Sequence, residues 1–309
     1  MELTGQLISL DRTLPLVRVE NRDLRAEYSA AFSKSGQKAT VGDWLKLDAA
    51  EATAVPQITD IMPRTTLLAR RICSEHPSIG AGMVDEQLLA ANFDRIFVVV
   101  SLGKRRIDLN YLEGQLVAAY QSAAEVVLVL NKVDLCTYPL SEALVETADL
   151  APDLKVIACS ATTGLGMSDL SDLTPEGSQS VFFGRSGVGK SSLINALVGS
   201  AAAAVGDIRQ RDQAGRHTTV ARRMVFHNNR AYFDTPGLRS IGNYSHRLGL
   251  ELVFSDVIEA AEQCHFRDCH HLSEPGCAVQ QAIADGTLTR RRVDSYLALA
   301  AEVAGDDRL

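Results

Sequence analysis

The chain has 309 residues, 46% of them hydrophobic and 22% charged, an ordinary composition for a folded protein of two or three domains. A formal net charge of −7 and a pI near 5.5 argue against a protein that coats nucleic acid over its whole surface, while leaving room for local basic patches. The N-terminus MELTGQLISLDR lacks a basic leader followed by an apolar run, and no stretch approaches the ~18 apolar residues of a membrane span, so a cytoplasmic protein without membrane contact is expected.

Residues 1–62 read as short strands at Gly5–Leu10, Leu16–Glu20, Leu24–Glu27 and Asp43–Leu47. Turn signals at Ser35-Gly36 and Gly42-Asp43 separate them, and helical periodicity is weak, so a small β-barrel is expected. Residues 63–245 alternate strands and helices. Arg95–Leu102 and Val126–Asn131 are continuous β-branched, apolar runs of the kind buried on both faces of a parallel sheet. Ile107–Ala123 has helical spacing between them, and further strands fall at Val156–Cys159, Val181–Gly184 and Arg230–Asp234. This pattern is that of a doubly wound α/β domain.

The first motif in chain order is Asn131-Lys132-Val133-Asp134, at the end of an apolar strand. A carboxylate there can accept hydrogen bonds from guanine N1–H and N2–H₂, a donor pair that adenine lacks, so Asp134 is expected to select guanine. Asn131 is expected to tie the base loop to the phosphate loop, and the stem of Lys132 to cover the ring. Ser160-Ala161, at the next strand end, supplies a backbone N–H for guanine O6.

Gly184-Arg185-Ser186-Gly187-Val188-Gly189-Lys190-Ser191 follows the strand SVFF and opens a helix at Ser192. This is the context a phosphate-binding P-loop requires: glycines let N–H groups turn inward, and a helix N-terminus adds a favourable dipole. Lys190 is expected to reach the β- and γ-phosphates and Ser191 to ligate Mg²⁺. In the stretch Gly206–Val220, Thr218 or Thr219 can close on Mg²⁺ when a γ-phosphate is present, Thr219 being slightly preferred. His217 beside them is a candidate water-orienting group. Asp234-Thr235-Pro236-Gly237 ends a further strand, where an acid holds Mg²⁺ through water and Gly237 is both a γ-phosphate N–H donor and a hinge. Leu238 stands where many GTPases carry a nearby glutamine, so slow intrinsic hydrolysis and a partner that accelerates it are expected.

Six cysteines stand at 73, 136, 159, 264, 269 and 277. A chain of this size in the cytosol is a poor candidate for a disulfide framework. Cys264, Cys269, His271 and Cys277, spaced by four, one and five residues, describe a closed structural Zn²⁺ site, with His265 and His270 as alternatives to His271. Helical segments around Ala278–Ala284 and Val293–Val303 complete a mostly helical C-terminal region.

Together the motifs match those of translation-factor GTPases, with GTP as substrate and GDP as product, but in permuted order: the base motifs precede the phosphate motifs. Moving the chain ends between surface loops permits this, and it leads the DTPG segment directly into residues 246–309, so that motion at Gly237 passes into that region. With NKVDL, SATTGLG, GRSGVGKSSLINAL, GRHTT, DTPG, CHFRDCHHLSEPGCAV and GTLTRRRVDSYLAL in this order, the chain resembles the RsgA (YjeQ/YloQ) family of circularly permuted GTPases over roughly residues 60–300. The resemblance implies an OB-fold over 1–62, a permuted GTPase domain over 63–245 and a zinc-binding domain over 246–309. It also implies a factor in late maturation of the small ribosomal subunit, which binds that subunit with GTP, hydrolyses on contact and leaves, its flanking domains holding ribosomal RNA. A role for His217 is implied as well. Residue types that could meet RNA are the aromatics Tyr28, Phe32 and Trp44 and the basic clusters Lys104-Arg105-Arg106, Arg209/Arg211/Arg216 and Arg290-Arg291-Arg292. A monomer is the expected state. Two other readings are a nucleotide-gated binding module that barely hydrolyses and a P-loop kinase, the latter opposed by NKVD and both switch motifs.

Overall fold

In the computed structural model, residues 2–10, 14–49, 55–73, 84–199, 222–234 and 247–306 are described. The N-terminal strands are β1 (Glu2–Leu10), β2 (Leu16–Val19), β3 (Arg22–Arg25), β4 (Glu27–Tyr28), β5 (Trp44–Asp48) and β6 (Gln57–Ile61). A short helix α1 (Ala30–Lys34) follows β4, capped by the Ser29 hydroxyl, which accepts from the Phe32 N–H at 3.1 Å. Pairing runs β1–β2–β3, passes the buried bend at Ala26 into β4, and returns through β6 and β5 to β1. Leu7, Val17, Ala26, Phe32, Leu45, Leu47 and Ile58 fill the middle. Sequence reasoning anticipated four of these strands with shifted ends. It missed the two-residue β4, β6 and α1, a helix of five residues, too short to show a period.

A hairpin of β7 (Leu67–Cys73) and β8 (Val84–Ala91) leads into β9 (Arg95–Ser101). The α/β elements are then α2 (Leu109–Gln121), β10 (Glu125–Asn131), α3 (Leu140–Ala148), β11 (Lys155–Ala158), α4 (Met167–Asp172), β12 (Gln179–Phe183), α5 (Lys190–Val198), β13 (Arg222–His227) and β14 (Arg230–Asp234). The strand order is β11-β10-β9-β12-β14-β13, parallel apart from the β13–β14 pair. The apolar runs serve both faces through the two-residue period of a strand. Ile96, Val98, Leu128, Leu130, Val181 and Phe183 face one core with α2. Phe97, Val99, Val127, Val129 and Phe182 face another with α4 and α5.

The C-terminal elements are α6 (Arg247–Val253), α7 (Ser255–Ala261), α8 (Ala278–Ala284) and α9 (Arg290–Asp306). They pack on the α2 side, where Val253, Phe254, Val257, Val279, Leu288 and Val293 join the same core. Helix α6 approaches α2 so closely that a Cβ at Gly249 would lie 2.1 Å from the Val117 carbonyl oxygen.

The N-terminal ring joins the sheet from the other end. Ser9 and Leu10 of β1 pair antiparallel with Arg223 and Arg222 of β13. Gly42, at φ +97°, sits where a Cβ would be 1.9 Å from the Ala91 oxygen. Gln6 Nε2 donates to Gly42 O at 3.1 Å and to Gln179 Oε1 at 2.9 Å, and Arg222 Nη1 donates to Leu88 O at 2.7 Å. Among the described residues, no helix is long and apolar enough to cross a membrane.

Candidate functional site: a loop-clamped nucleotide cradle and a Cys/His cluster

From the middle of the sheet the chain departs in opposite directions, β9 to β10 on one side and β12 to β14 on the other. At such a switch point the loops leaving the carboxyl ends of adjacent strands separate and open a crevice for a ligand. Gly184 leaves β12 with φ +151°, and a Cβ there would meet Val99 O at 2.4 Å. Gly189 closes the loop at φ +101°, where a Cβ would lie 2.3 Å from Asn131 Nδ2. These two glycines are required by backbone approach, so the motif spacing carries physical content. Helix α5 begins at Lys190, two residues before the expected start, and its first N–H groups have no intrahelical acceptor.

Lys190 is 4% exposed, and its Nζ donates to Gly184 O at 2.9 Å and Arg185 O at 3.0 Å. Ser191 Oγ donates to Asp234 Oδ1 at 3.0 Å, which brings the P-loop hydroxyl to the acid of the next strand end. The base loop clamps the phosphate loop. Asn131, 1% exposed, donates from Nδ2 to Val188 O at 2.9 Å. Lys132 takes a left-handed φ of +63°, and its Nζ donates to Gly187 O at 2.6 Å. Asp134 is exposed on the 3₁₀ turn Val133–Leu135 that follows. Ser160 and Ala161 stand beyond β11. The Ser160 N–H donates to Leu165 O at 2.9 Å, and its Oγ accepts from the N–H groups of Thr162 (3.3 Å) and Thr163 (3.1 Å). Ser186 is exposed beside Gly187, whereas Ser192 lies on the first turn of α5. His217, Thr218, Thr219, Gly237 and Leu238 lie outside the described residues, as do Arg209, Arg211 and Arg216.

Two contributors escaped sequence reasoning. The Cys159 thiol, fully buried, donates to Asn131 Oδ1 at 3.9 Å, and burial pushes its pKa up to about 12, so it is a neutral prop for the asparagine. Tyr111, on the first turn of α2, lies under the Arg185 guanidinium at 4.6 Å. Its one visible signal was a tyrosine three residues after the helix-capping Asp108.

The Cys264, Cys269, His271 and Cys277 ligand atoms all lie within 4.8 Å of one another. Cys264 Sγ is 3.5 Å from His271 Nδ1 and 3.9 Å from Cys277 Sγ, and Cys277 Sγ is 3.6 Å from His271 Nδ1. Tetrahedral bonds of about 2.3 Å to sulfur would separate two sulfurs by about 3.8 Å, so the spacing fits a four-coordinate ion. His271 is the histidine that faces the thiols. His265 instead packs edge-on against Phe266, and the His270 N–H donates to Glu274. The Glu274 carboxylate fixes the intervening turn by accepting from the N–H groups of His270 (2.9 Å), Leu272 (2.9 Å) and Ser273 (3.0 Å). These bonds, that of His270 first, hold its pKa down to about 2.

The expected basic patch at Arg290–Arg292 is corrected by the packing of α9. Arg292, 6% exposed, donates to Glu113 Oε1 at 2.7 Å and Asp256 Oδ1 at 3.0 Å, and Arg291 grips Glu113 at 2.9 and 3.0 Å. Glu113 is fully buried on α2, so Arg292 is spent inside the protein, Arg291 is half-buried with its guanidinium on Glu113, and Arg290 stays exposed. In the other described cluster, Arg106 pairs with Glu142 and Glu146 and lies 4.4 Å over Tyr138, while Lys104 and Arg105 are exposed.

The chain is similar to known proteins in sequence and in fold. The family model described as RsgA GTPase matches residues 61–244. The small ribosomal subunit biogenesis GTPase RsgA of Methanosarcina acetivorans is 38% identical over 98% of this chain and 80% of its own length. Its namesake in Streptomyces coelicolor is 38% identical over 97% of the chain and 80% of its own. In fold, the chain matches YjeQ from Thermotoga maritima at a TM-score of 0.68, with 24% identity and 99% of both chains covered. It matches YloQ, a circularly permuted GTPase, at 0.65 with 23% identity, covering 100% of this chain and 96% of that one. The motifs, their permuted order and relatives alike along nearly the whole length leave one conclusion: the chain belongs to the RsgA GTPase family, whose members are GTP-hydrolysing enzymes.

Proposed function

We propose that this chain hydrolyses GTP in late maturation of the small ribosomal subunit, and that the subunit stimulates it. The observation that carries the nucleotide half is the double clamp of base loop on phosphate loop, Asn131 to Val188 O and Lys132 to Gly187 O. It ties the loop that follows β10 to the loop that follows β12. Asp134 then reads guanine, with the Ser160–Ala161 backbone at O6. The N–H groups of residues 184–192 hold the phosphates, and Lys190 leaves its two carbonyl partners for the β- and γ-phosphates. Ser191 and Asp234, 3.0 Å apart, are the fitting donor pair for Mg²⁺, Ser191 directly and Asp234 through water. When bound, Mg²⁺ supplies charge neutralisation at the β–γ bridge. Thr219, or else Thr218, completes its shell, His217 orients water, and Gly237 donates its N–H and hinges.

The domains of this reading are an OB-fold barrel at 1–62, the permuted GTPase domain at 63–245 and a zinc-binding domain at 246–309. The ring of pairings β1–β2–β3/β4–β6–β5 with α1 supports the first. The cluster of Cys264, Cys269, His271 and Cys277 fits Zn²⁺ by donor set and spacing, and the ion would stiffen a lobe whose loops have little core of their own. The barrel and the lobe meet ribosomal RNA, and the protein works as a cytoplasmic monomer away from membranes.

The test is GTP hydrolysis by the purified protein with small or large ribosomal subunits at fixed Mg²⁺ and salt. A large rise with small subunits alone supports the reading. GTP binding without any rise favours a nucleotide-gated binding module, a reading supported by the absence of glutamine after DTPG.

A further inference from the structure

The phosphate loop carries a cation that the motif does not require. Arg185 is exposed, and among the described residues no carboxylate pairs with it. Its guanidinium rests instead on the face of Tyr111, 4.6 Å from the ring centroid. Exposed to solvent, such a contact is a weak resting place compared with a buried ion pair. The Tyr111 hydroxyl is buried and has no hydrogen-bond partner among the described residues. Meanwhile the Arg185 backbone oxygen accepts from Lys190 Nζ at 3.0 Å. The arginine side chain thus springs from the rim of the cradle into which Lys190 reaches, on a flexible stem that can turn from ring to cradle.

We infer that Arg185 is a built-in phosphate-charge group: from its contact with Tyr111 it turns onto the γ-phosphate of bound GTP and stabilises the transferring phosphoryl group. This rests on the nucleotide reading above and deepens it. In the step it assists, a water oxygen bonds to the γ-phosphorus while the bond from that phosphorus to the β–γ bridging oxygen breaks. The electron pair stays on GDP, and of the water's two protons one leaves on inorganic phosphate and the other passes to phosphate or to solvent. Charge spreads onto the equatorial oxygens, where a planar guanidinium with several donors is most effective. The chain offers no glutamine directly after DTPG, which leaves more of the barrier to such charge stabilisation. GDP lacks the γ-phosphate, so the group acts on GTP and its transition state and leaves GDP affinity alone.

The test compares Arg185→Ala, Arg185→Lys and Tyr111→Leu with the parent by single-turnover GTP hydrolysis, with and without small ribosomal subunits, and by GTP and GDP affinity. Arg185→Ala is expected to slow hydrolysis about 100-fold in both conditions with GDP affinity intact, and Arg185→Lys to recover part of it. Tyr111→Leu removes the resting place and is expected to raise turnover about two- to five-fold, provided circular dichroism shows the fold unchanged. Parent-like hydrolysis by Arg185→Ala overturns the inference. So does a loss confined to subunit stimulation, which would make Arg185 a contact to the subunit's RNA or protein, or an equal loss of GTP and GDP affinity at unchanged turnover. A fall in turnover for Tyr111→Leu overturns the resting role of Tyr111. The underlying reading fails separately: Lys190→Ala that still binds both nucleotides sinks the cradle itself, whatever Arg185 does.

Discussion

The N-terminal ring and the C-terminal lobe flank one sheet but are joined to it by different chemistry. The ring is stitched on by backbone: β1 pairs with β13, and Gly42 lies against the Ala91 carbonyl. The lobe is joined by side chains: Glu113 of α2 receives Arg291 and Arg292, and apolar residues of α6, α7 and α9 share the α2 core. Backbone pairing on a strand edge tolerates changes of side chain, whereas a buried ion pair fails when one member is lost. The two joints also touch different parts of the site. Strand β13 follows the stretch that carries His217, Thr218 and Thr219 in the chain, whereas α2 carries Tyr111, two residues before Glu113, beneath Arg185 of the phosphate loop.

The largest expected effect separates the lobe's own fold from its joint. The zinc proposed for the Cys264, Cys269, His271 and Cys277 cluster would be worth up to about 10–16 kcal/mol if the lobe resembles small zinc-folded peptides. Cys277→Ser should lower bound zinc measured by elemental analysis and make residues beyond 246 sensitive to protease, while the N-terminal strands and GTP binding persist. Retention of one zinc per chain and of protease resistance would contradict it. Next comes the joint. Glu113→Gln leaves the buried Arg292 with one carboxylate instead of two and should cost about 3 kcal/mol or more in urea unfolding. A cost under about 1 kcal/mol would mean the pair is no more than a surface bridge.

Two glycine substitutions then compare the joints directly. Gly42→Ala must push Ala91 aside on the ring side, at a positive φ that an alanine resists, and Gly249→Ala must push α6 off α2 on the lobe side. Overpacking of this kind costs about 1–3 kcal/mol. Gly42→Ala carries the added strain and should be the worse of the two by thermal denaturation. The opposite order would show that the ring yields more easily than its backbone pairing suggests.

The nucleotide site was legible in the sequence because backbone geometry dictates its residue types. Gly184 and Gly189 cannot carry a side chain without meeting Val99 O or Asn131, so spacing alone reported structure. The cysteine cluster was legible for a similar reason, since metal ligands must converge, although only the fold picks His271 from its neighbours. What stayed hidden depends on partners distant in sequence. Nothing in RRR tells which arginines turn inward; that is set by Glu113, 178 residues away from Arg291. The hairpin LLARRIC/VDEQLLAA mixes charges into both strands and hides its alternation, and the pairing of β1 with β13 joins segments more than two hundred residues apart in the chain.

The smallest effect contrasts an exposed carboxylate in each flank. Asp60, in the ring, is lowered from an ordinary 3.8 first by its hydrogen bond from Lys46 and then by the Ile61 N–H. Glu274, in the lobe, is lowered from 4.5 to about 2 by backbone N–H groups, that of His270 first. Both folded values are depressed, so each contribution to stability is present above the ordinary pKa and is lost as pH falls through the folded one. For Glu274 that window runs from 4.5 down to about 2. Salt should separate them, because a mobile lysine charge is screened at the surface while a ring of fixed amides at hydrogen-bond distance is screened far less. Carboxyl titrations followed by carbon-detected NMR are expected to show Asp60 moving toward its ordinary value as salt rises, with Glu274 ionised wherever the lobe keeps its fold. A Glu274 midpoint near 4.5, or one as sensitive to salt as Asp60, would mean that the turn between the metal ligands is not held by its carboxylate.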